Sequence, residues 1–251
     1  LGGTQNYEVD RSACAKLLEI APSTQHLARN NRDFLRRVVR FLAEKKHITQ
    51  FLDHGSGLPT QDNVHEVAQR VYQDTKVVYV DNDPMVLAHA ETYLDDNENT
   101  MVVNLDMRRT QEIRKATSDF LNWDEPIAAL FVSVLHCIPD TEDENDPAAV
   151  IRAVAEQLPA GSYMVICQLV SDDEKVRDGV TQLMRDATEG RWGRVREPDE
   201  VRRYFDALDI IDPPGLVDVI DWHPDTPPPP KDMRLTDWIE WGGVGRVKKT
   251  Q

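Results

Sequence analysis

The residues best suited to chemistry are acidic and stand at the ends of apolar runs. Asp53 follows Gln50-Phe51-Leu52 and precedes His54-Gly55-Ser56-Gly57, Asp81 closes Val77-Val78-Tyr79-Val80, and Asp106 lies just beyond Met101-Val102-Val103. A strand, a turn with two glycines and then a helix lets backbone approach a nucleotide-bearing ligand closely. Any tight strand-to-helix turn can carry such a glycine pair, so the turn gains meaning only from its acidic company. A dinucleotide fingerprint needs a third glycine three residues after the second. That position is Thr60, behind Pro59, so a nicotinamide oxidoreductase is disfavoured.

Asp53, two residues before Gly55, suits a cationic ligand end rather than a pyrophosphate. S-adenosylmethionine (SAM) offers one, an ammonium on its amino-acid part and a cationic sulfur. Asp81, 24 residues after Gly57, is placed to accept both ribose hydroxyls. Its neighbour Asp83 reads separately as a helix N-cap before Pro84. Asp106, in Asn104-Leu105-Asp106-Met107, can accept from an adenine amino group or simply occupy a turn. Together, acidic residues at the ends of three successive strands say more than any one of them.

His136, just past the apolar run Ile127 to Leu135, is the candidate catalytic base. An unperturbed imidazole titrates at about 6.5, which suits proton abstraction from an oxygen or amine. The competing reading is a turn residue before Pro139 that contacts only backbone. His65 reads as packing within a helix, and His223 beside Asp221 and Asp225 is too loosely spaced for a metal, so no metal site is expected.

A frame that positions these residues is legible in the alternation of elements. Apolar runs at 48–52, 77–80, 101–103, 127–135 and 163–170 read as strands. Helical patterns lie between them, over 63–71, 84–94 and 147–158. This predicts an α/β fold with a doubly wound, mostly parallel, Rossmann-like sheet whose strand ends share one ligand-binding edge. In the last third, 178–186 and 199–208 look helical, while 216–222 and 241–247 look like an antiparallel closing pair. Upstream, Ser23 to Lys46 is an amphipathic helix with Arg29, Arg32, Arg36, Arg37 and Arg40 on its polar face. That face reads as solvated, or as a basic patch for an anionic substrate or partner.

Composition sets the outer bounds. The 251 residues are 40% hydrophobic and 29% charged, with a net charge of −15. A core can form without staples, and the negative charge disfavours nucleic acid as a partner. No apolar run is long enough for a membrane span. Cys14, Cys137 and Cys167 lie far apart, which argues against a disulfide framework and fits a reducing cytoplasm. The chain opens Leu1-Gly2-Gly3 rather than with Met, and a missing natural start is expected.

The glycine turn and the acidic strand ends resemble those of a class I SAM-dependent methyltransferase. More narrowly, Gln50 to Thr60 with Asn63 to Gln69, Val78 to Pro84, Val134-Leu135-His136-Cys137-Ile138-Pro139-Asp140 and Trp241 to Arg246 resemble an actinobacterial S-adenosyl methyltransferase family long classed as a domain of unknown function. The opening Leu1 to Tyr7 resembles the end of that family's N-terminal motif. His54 departs from it, standing where an aliphatic residue is expected. The resemblance implies a seven-stranded sheet, an N-terminal helical segment or lid over residues 1–46, and a SAM-binding domain over 47–251, together one globular unit. It places Asp53, Gly55 and Gly57 along the methionine part, Asp81 on the ribose, Asn82 and Asp106 at the adenine, and Ser133 where the methyl group faces its acceptor. Gly3, Asn6 and Tyr7 would close over the cofactor. The implied activity is methyl transfer to an oxygen or nitrogen of a small molecule. A SAM-binding sensor or interaction protein without turnover shares the same cofactor motif. The late aromatics Trp192, Tyr204, Phe205, Trp222, Trp238 and Trp241 read as core or as walls of an acceptor pocket.

Overall fold

In the computed structural model, which describes residues 8–58, 62–94, 97–230 and 234–248, helices α1 (Glu8–Ile20) and α2 (Thr24–Lys46) precede the sheet. The alternating part follows as β1 (Gln50–His54), α3 (Val64–Gln69), β2 (Lys76–Asp81), α4 (Pro84–Leu94), β3 (Thr100–Asn104), α5 (Thr110–Thr117), β4 (Ala128–Val132), α6 (Pro147–Gln157) and β5 (Tyr163–Val170). Next come α7 (Glu174–Ala187), α8 (Pro198–Arg202), β6 (Leu208–Ile210), β7 (Val217–Asp218) and β8 (Ile239–Val247). The strands form one sheet in the order β3-β2-β1-β4-β5-β8-β6, with β7 also paired to β8. The pairs among β1 to β5 are parallel, and those of β8 with β5, β6 and β7 are antiparallel.

The doubly wound frame and the antiparallel closure are as the sequence implied. The strand count differs: among the described residues there are eight, where the resemblance implies seven. Residues 208–210 pair with β8 instead of ending a helix, and 217–218 is a two-residue strand followed by a 3-10 turn at Val219–Asp221.

Strand order reverses between β1 and β4. At such a point the loops leave the sheet in opposite directions, which opens a crevice at the strands' carboxyl ends. The two faces of the sheet carry separate core clusters. On one, Phe34, Val38 and Leu42 of α2 pack with Phe51, Leu130, Val165 and Trp222. Trp222 is fully buried, with Phe34 and Phe41 edge-on at 5.7 and 5.4 Å. On the other, Leu52, Val78, Ile113, Phe131, Ile151 and Met164 pack together. The apolar face of α2 is thus part of the core, which fixes its polar face relative to the strand ends.

Candidate functional site

Asp53 lies opposite Tyr79 on β2 and Leu130 on β4. It is buried, and among the described residues its carboxylate has no hydrogen-bond or ion-pair partner. Burial pushes its pKa up to about 7; Arg32 opposes the rise and Asp81 adds to it. Arg32, on α2, is itself lowered by burial, with Asp53 the strongest opposing influence. It too has no hydrogen bond or ion pair among the described residues. The two charges therefore face each other without closing into a salt bridge. The basic face of α2 is not simply solvated. Arg36 pairs with Asp33 and Asp62, and Arg37 donates to the carbonyls of Val219 and Trp222.

The glycine turn folds back onto the end of β2. Gly55 N–H donates to Val80 O at 2.7 Å, and Gly57 N–H donates to Asp81 Oδ2 at 2.9 Å. Both glycines are in the left-handed region, at φ +69° and +64°. A Cβ on Gly55 would stand 2.2 Å from Val134 Cγ2, whereas one on Gly57 would meet open space. Backbone at Gly57 can thus be approached closely by a ligand.

Asp81 is half-buried, and its Oδ1 accepts Asp83 N–H at 3.0 Å. Each carboxylate oxygen keeps acceptor capacity for a ribose hydroxyl. Asp83 Oδ1 accepts Met85 N–H at 2.8 Å in the first turn of α4, so the capping role falls to a different residue. Asn82 is exposed beside them. Loop 59–61 is outside the described residues, but Asp62 beyond it is gripped by Arg36 at 2.8 Å and Arg70 at 2.7 Å.

Asp106 departs from its expected role. Arg108 Nε donates to both of its oxygens, at 2.9 and 3.1 Å, Nη2 adds a bond of 2.5 Å, and the Arg108 backbone N–H another of 2.9 Å. Three N–H groups of Arg108, with Nε–H shared between both oxygens, thus occupy most of the roughly four acceptor directions of the carboxylate and compete with an adenine amino group for it. The same contacts hold its pKa below the usual carboxylate range, the Arg108 side chain acting most strongly.

His136 also differs. It lies in a 3-10 turn, Leu135–Cys137, fully buried, with its Nδ1 receiving Leu169 N–H at 3.5 Å and its ring 5.5 Å from Trp192. Burial, with Arg196 adding to it, drives its pKa down to about 3. An imidazole of such low basicity is a poor general base at neutral pH. Arg196 is buried in turn, donating to Leu135 O, Ile138 O, Gln168 Oε1 and Asp140. His54 stacks on Phe131 at 4.2 Å and is held at about pKa 4 by burial, so it belongs to the core.

Ser133 directly follows β4 in the left-handed region, at φ +58°. Its N–H donates to Cys167 O at 3.0 Å, and its Oγ–H donates to Glu240 Oε1. Glu240, on β8, is 1% exposed and raised by burial to about 7. Sequence reasoning passed over Glu240 and reached Arg32 only as one of five arginines on a polar helix face. The available signal for Glu240 was a carboxylate alternating with Trp238 and Gly242 along one side of a strand.

The late aromatics are all buried. Among the described residues no three His, Cys, Asp or Glu side chains are grouped to hold a metal ion. Gly3, Asn6 and Tyr7 lie outside the described residues.

A buried carboxylate facing an unpaired guanidinium matches the ammonium and carboxylate of an α-amino acid. An acidic β2 end beside a glycine turn matches a ribose. The residues present therefore fit SAM, and fold and site together define a SAM-dependent methyltransferase. The chain belongs to the S-adenosyl methyltransferase family, whose model matches residues 1–248, and its cofactor is SAM. It is similar to a provisionally assigned methyltransferase from Thermobifida fusca YX, with 33% identity, TM-score 0.86, 99% of this chain and 92% of that one covered. It is also similar to a DUF574 family protein from Streptomyces avermitilis MA-4680, with 31% identity, TM-score 0.85 and coverage of 98% and 94%. The fold extends to the trans-methyltransferase CalH, solved with S-adenosylhomocysteine, at 17% identity, TM-score 0.53 and coverage of 85% and 55%. No curated protein matches the chain.

Proposed function

We propose that the chain methylates an oxygen or nitrogen of a small molecule. The observation that carries the reading is the unpaired Asp53 carboxylate facing Arg32 across the end of β1. When bound, SAM supplies an electrophilic methyl group on a cationic sulfur. Asp53 receives the ammonium, and Arg32 the carboxylate, of its amino-acid end. Asp81 accepts the ribose hydroxyls while Gly57 N–H holds the carboxylate in place. Asn82 stands at the adenine end. Ser133 is left on the β4 side of the switch point, where an acceptor must approach. Holding that acceptor in line with the leaving sulfur is the protein's main catalytic task.

A small acceptor suits the net charge of −15, which repels a phosphate backbone. We further assign residues 1–46 as the segment flanking the cofactor, 47–251 as the catalytic domain, and a cytoplasmic location, which the three free cysteines suit.

Calorimetry with SAM, S-adenosylhomocysteine and NAD tests the cofactor half. The reading expects the first two to bind and NAD to bind far more weakly. A release assay for S-adenosylhomocysteine across hydroxyl- and amine-bearing metabolites tests the acceptor half. Turnover only with carbon acceptors contradicts it, and binding with no turnover at all favours a sensor.

A further inference from the structure

Beyond the switch point, the carboxyl edge carries a polar cluster that the cofactor set does not use. Glu240 lies opposite Leu169 of β5, with Oε1 accepting from Ser133 Oγ and Oε2 buried without a hydrogen-bond partner among the described residues. Ser133 is the first residue after β4, and β4 is the neighbour of β1. Ser133 and the Asp53 turn therefore flank the same crevice. The Cys137 thiol, in the 3-10 turn that follows Ser133, feels the negative charge of both Glu240 and Asp81. The serine hydroxyl spends its proton on Glu240 and keeps lone pairs to accept another hydrogen bond.

We propose that Ser133 and Glu240 form a proton relay for the methyl acceptor, with Ser133 Oγ taking the acceptor's O–H or N–H proton and passing its own to Glu240 Oε1. The proposal rests on the oxygen or nitrogen reading above. A neutral acceptor that bonds its lone pair to the methyl carbon gains one positive charge, while the broken bond's electron pair stays on sulfur. The acceptor then returns to neutrality by losing one proton. That proton reaches Ser133, the serine proton moves to Glu240, and Ser133 ends unchanged. Glu240 ends as the neutral acid and releases its proton to water once the site opens.

Burial is the main cause of the Glu240 shift to about 7. The Ser133 hydrogen bond and the neighbouring Cys167 thiol on β5 oppose it, and Asp218 on β7 adds to it. Ser133 meets the acceptor, and Glu240 acts through it.

The test needs no acceptor. SAM and S-adenosylhomocysteine differ by the methyl group and the positive charge on sulfur, and both carry the ammonium that faces Asp53. If Glu240 faces the reacting centre, SAM binding favours its ionised form. The affinity ratio of SAM over S-adenosylhomocysteine should then rise as pH increases through about 7. A rise of roughly tenfold is the effect of a carboxylate within about 12 Å at an effective dielectric constant near 20. Asp53 titrates in the same range, so the Glu240 contribution is the part of the rise that Glu240→Gln removes, and the rise should shrink in that variant. Ser133→Ala removes a bond that lowers the Glu240 pKa, so the midpoint should move upward. A flat ratio in the unaltered protein overturns the relay even if Glu240→Gln fails to fold. So does a rise that Glu240→Gln leaves undiminished, or an unmoved midpoint in Ser133→Ala. If neither ligand binds, the cofactor reading falls and takes the relay with it. If both bind with a flat ratio, only the relay falls.

Discussion

Replacing Asp53 with Asn should stabilise the ligand-free protein and disable its cofactor site. Asp53 is raised from 3.8 to about 7, chiefly by burial. Between those values the folded state holds a proton that the unfolded state has released. Stability contributed by the protonated form is therefore full below pH 3.8 and is lost as pH rises to about 7. About three pKa units correspond to about 4 kcal/mol. Asn carries no such burden, so Asp53→Asn should match the unaltered protein at pH 4 and exceed it by about 4 kcal/mol at pH 8. Glu240 and Asp218, also raised by burial to about 7 and about 6, bend both curves alike and cancel in the difference. Urea unfolding followed by tryptophan fluorescence at the two pH values reads this directly. In parallel, S-adenosylhomocysteine should bind Asp53→Asn at least roughly tenfold more weakly at pH 8, because a charge-assisted contact of about 1.5–3 kcal/mol is gone. In the unaltered protein its affinity should fall below pH 7, as the ammonium must first expel the Asp53 proton. Equal stability of the two proteins at pH 8, or equal affinity, would refute the reasoning.

Asp81→Ala should weaken S-adenosylhomocysteine binding at least roughly tenfold by calorimetry, with an unchanged circular-dichroism spectrum because the residue sits at a strand end. Asp106→Asn should change that affinity less than about threefold, since Arg108 occupies most of its acceptor directions; a loss as large as that of Asp81→Ala would show that Asp106 holds the cofactor. Arg196→Met leaves the Ile138 carbonyl without its donor and takes one of two donors from Leu135 O, which keeps the Ile138 N–H, and should cost about 1–3 kcal/mol in urea unfolding. His136→Gln should leave the pH dependence of cofactor binding unmoved between 5 and 9, as the ring is already neutral throughout that range.

The parallel half of the sheet was legible because each strand is a short apolar run bounded by a turn and an acidic residue. The edge beyond β8 was not. In β6 only Leu208 is buried while Asp209 and Ile210 are exposed, so three residues show no alternation to read. Asp53 and Asp81 could be placed from spacing because local backbone geometry fixes them. Arg32 could be singled out from the other arginines of its helix face only with the packing of that helix on the sheet in hand, although the face itself reads as solvated or as a basic patch. His136 was judged on its unperturbed pKa, and burial, a long-range property, removes that basicity. Glu240 meets Ser133 from 107 residues away, a contact no local pattern announces. Arg108, two positions after Asp106, is the local competitor for that carboxylate and is visible in the sequence.

A crystal structure with S-adenosylhomocysteine bears most directly on the cofactor site. The account predicts the amino-acid end between Asp53 and Arg32, the ribose hydroxyls on Asp81, and the sulfur turned towards Ser133 rather than towards His136. An amino-acid end bound away from Asp53, or a ribose that does not touch Asp81, would contradict it.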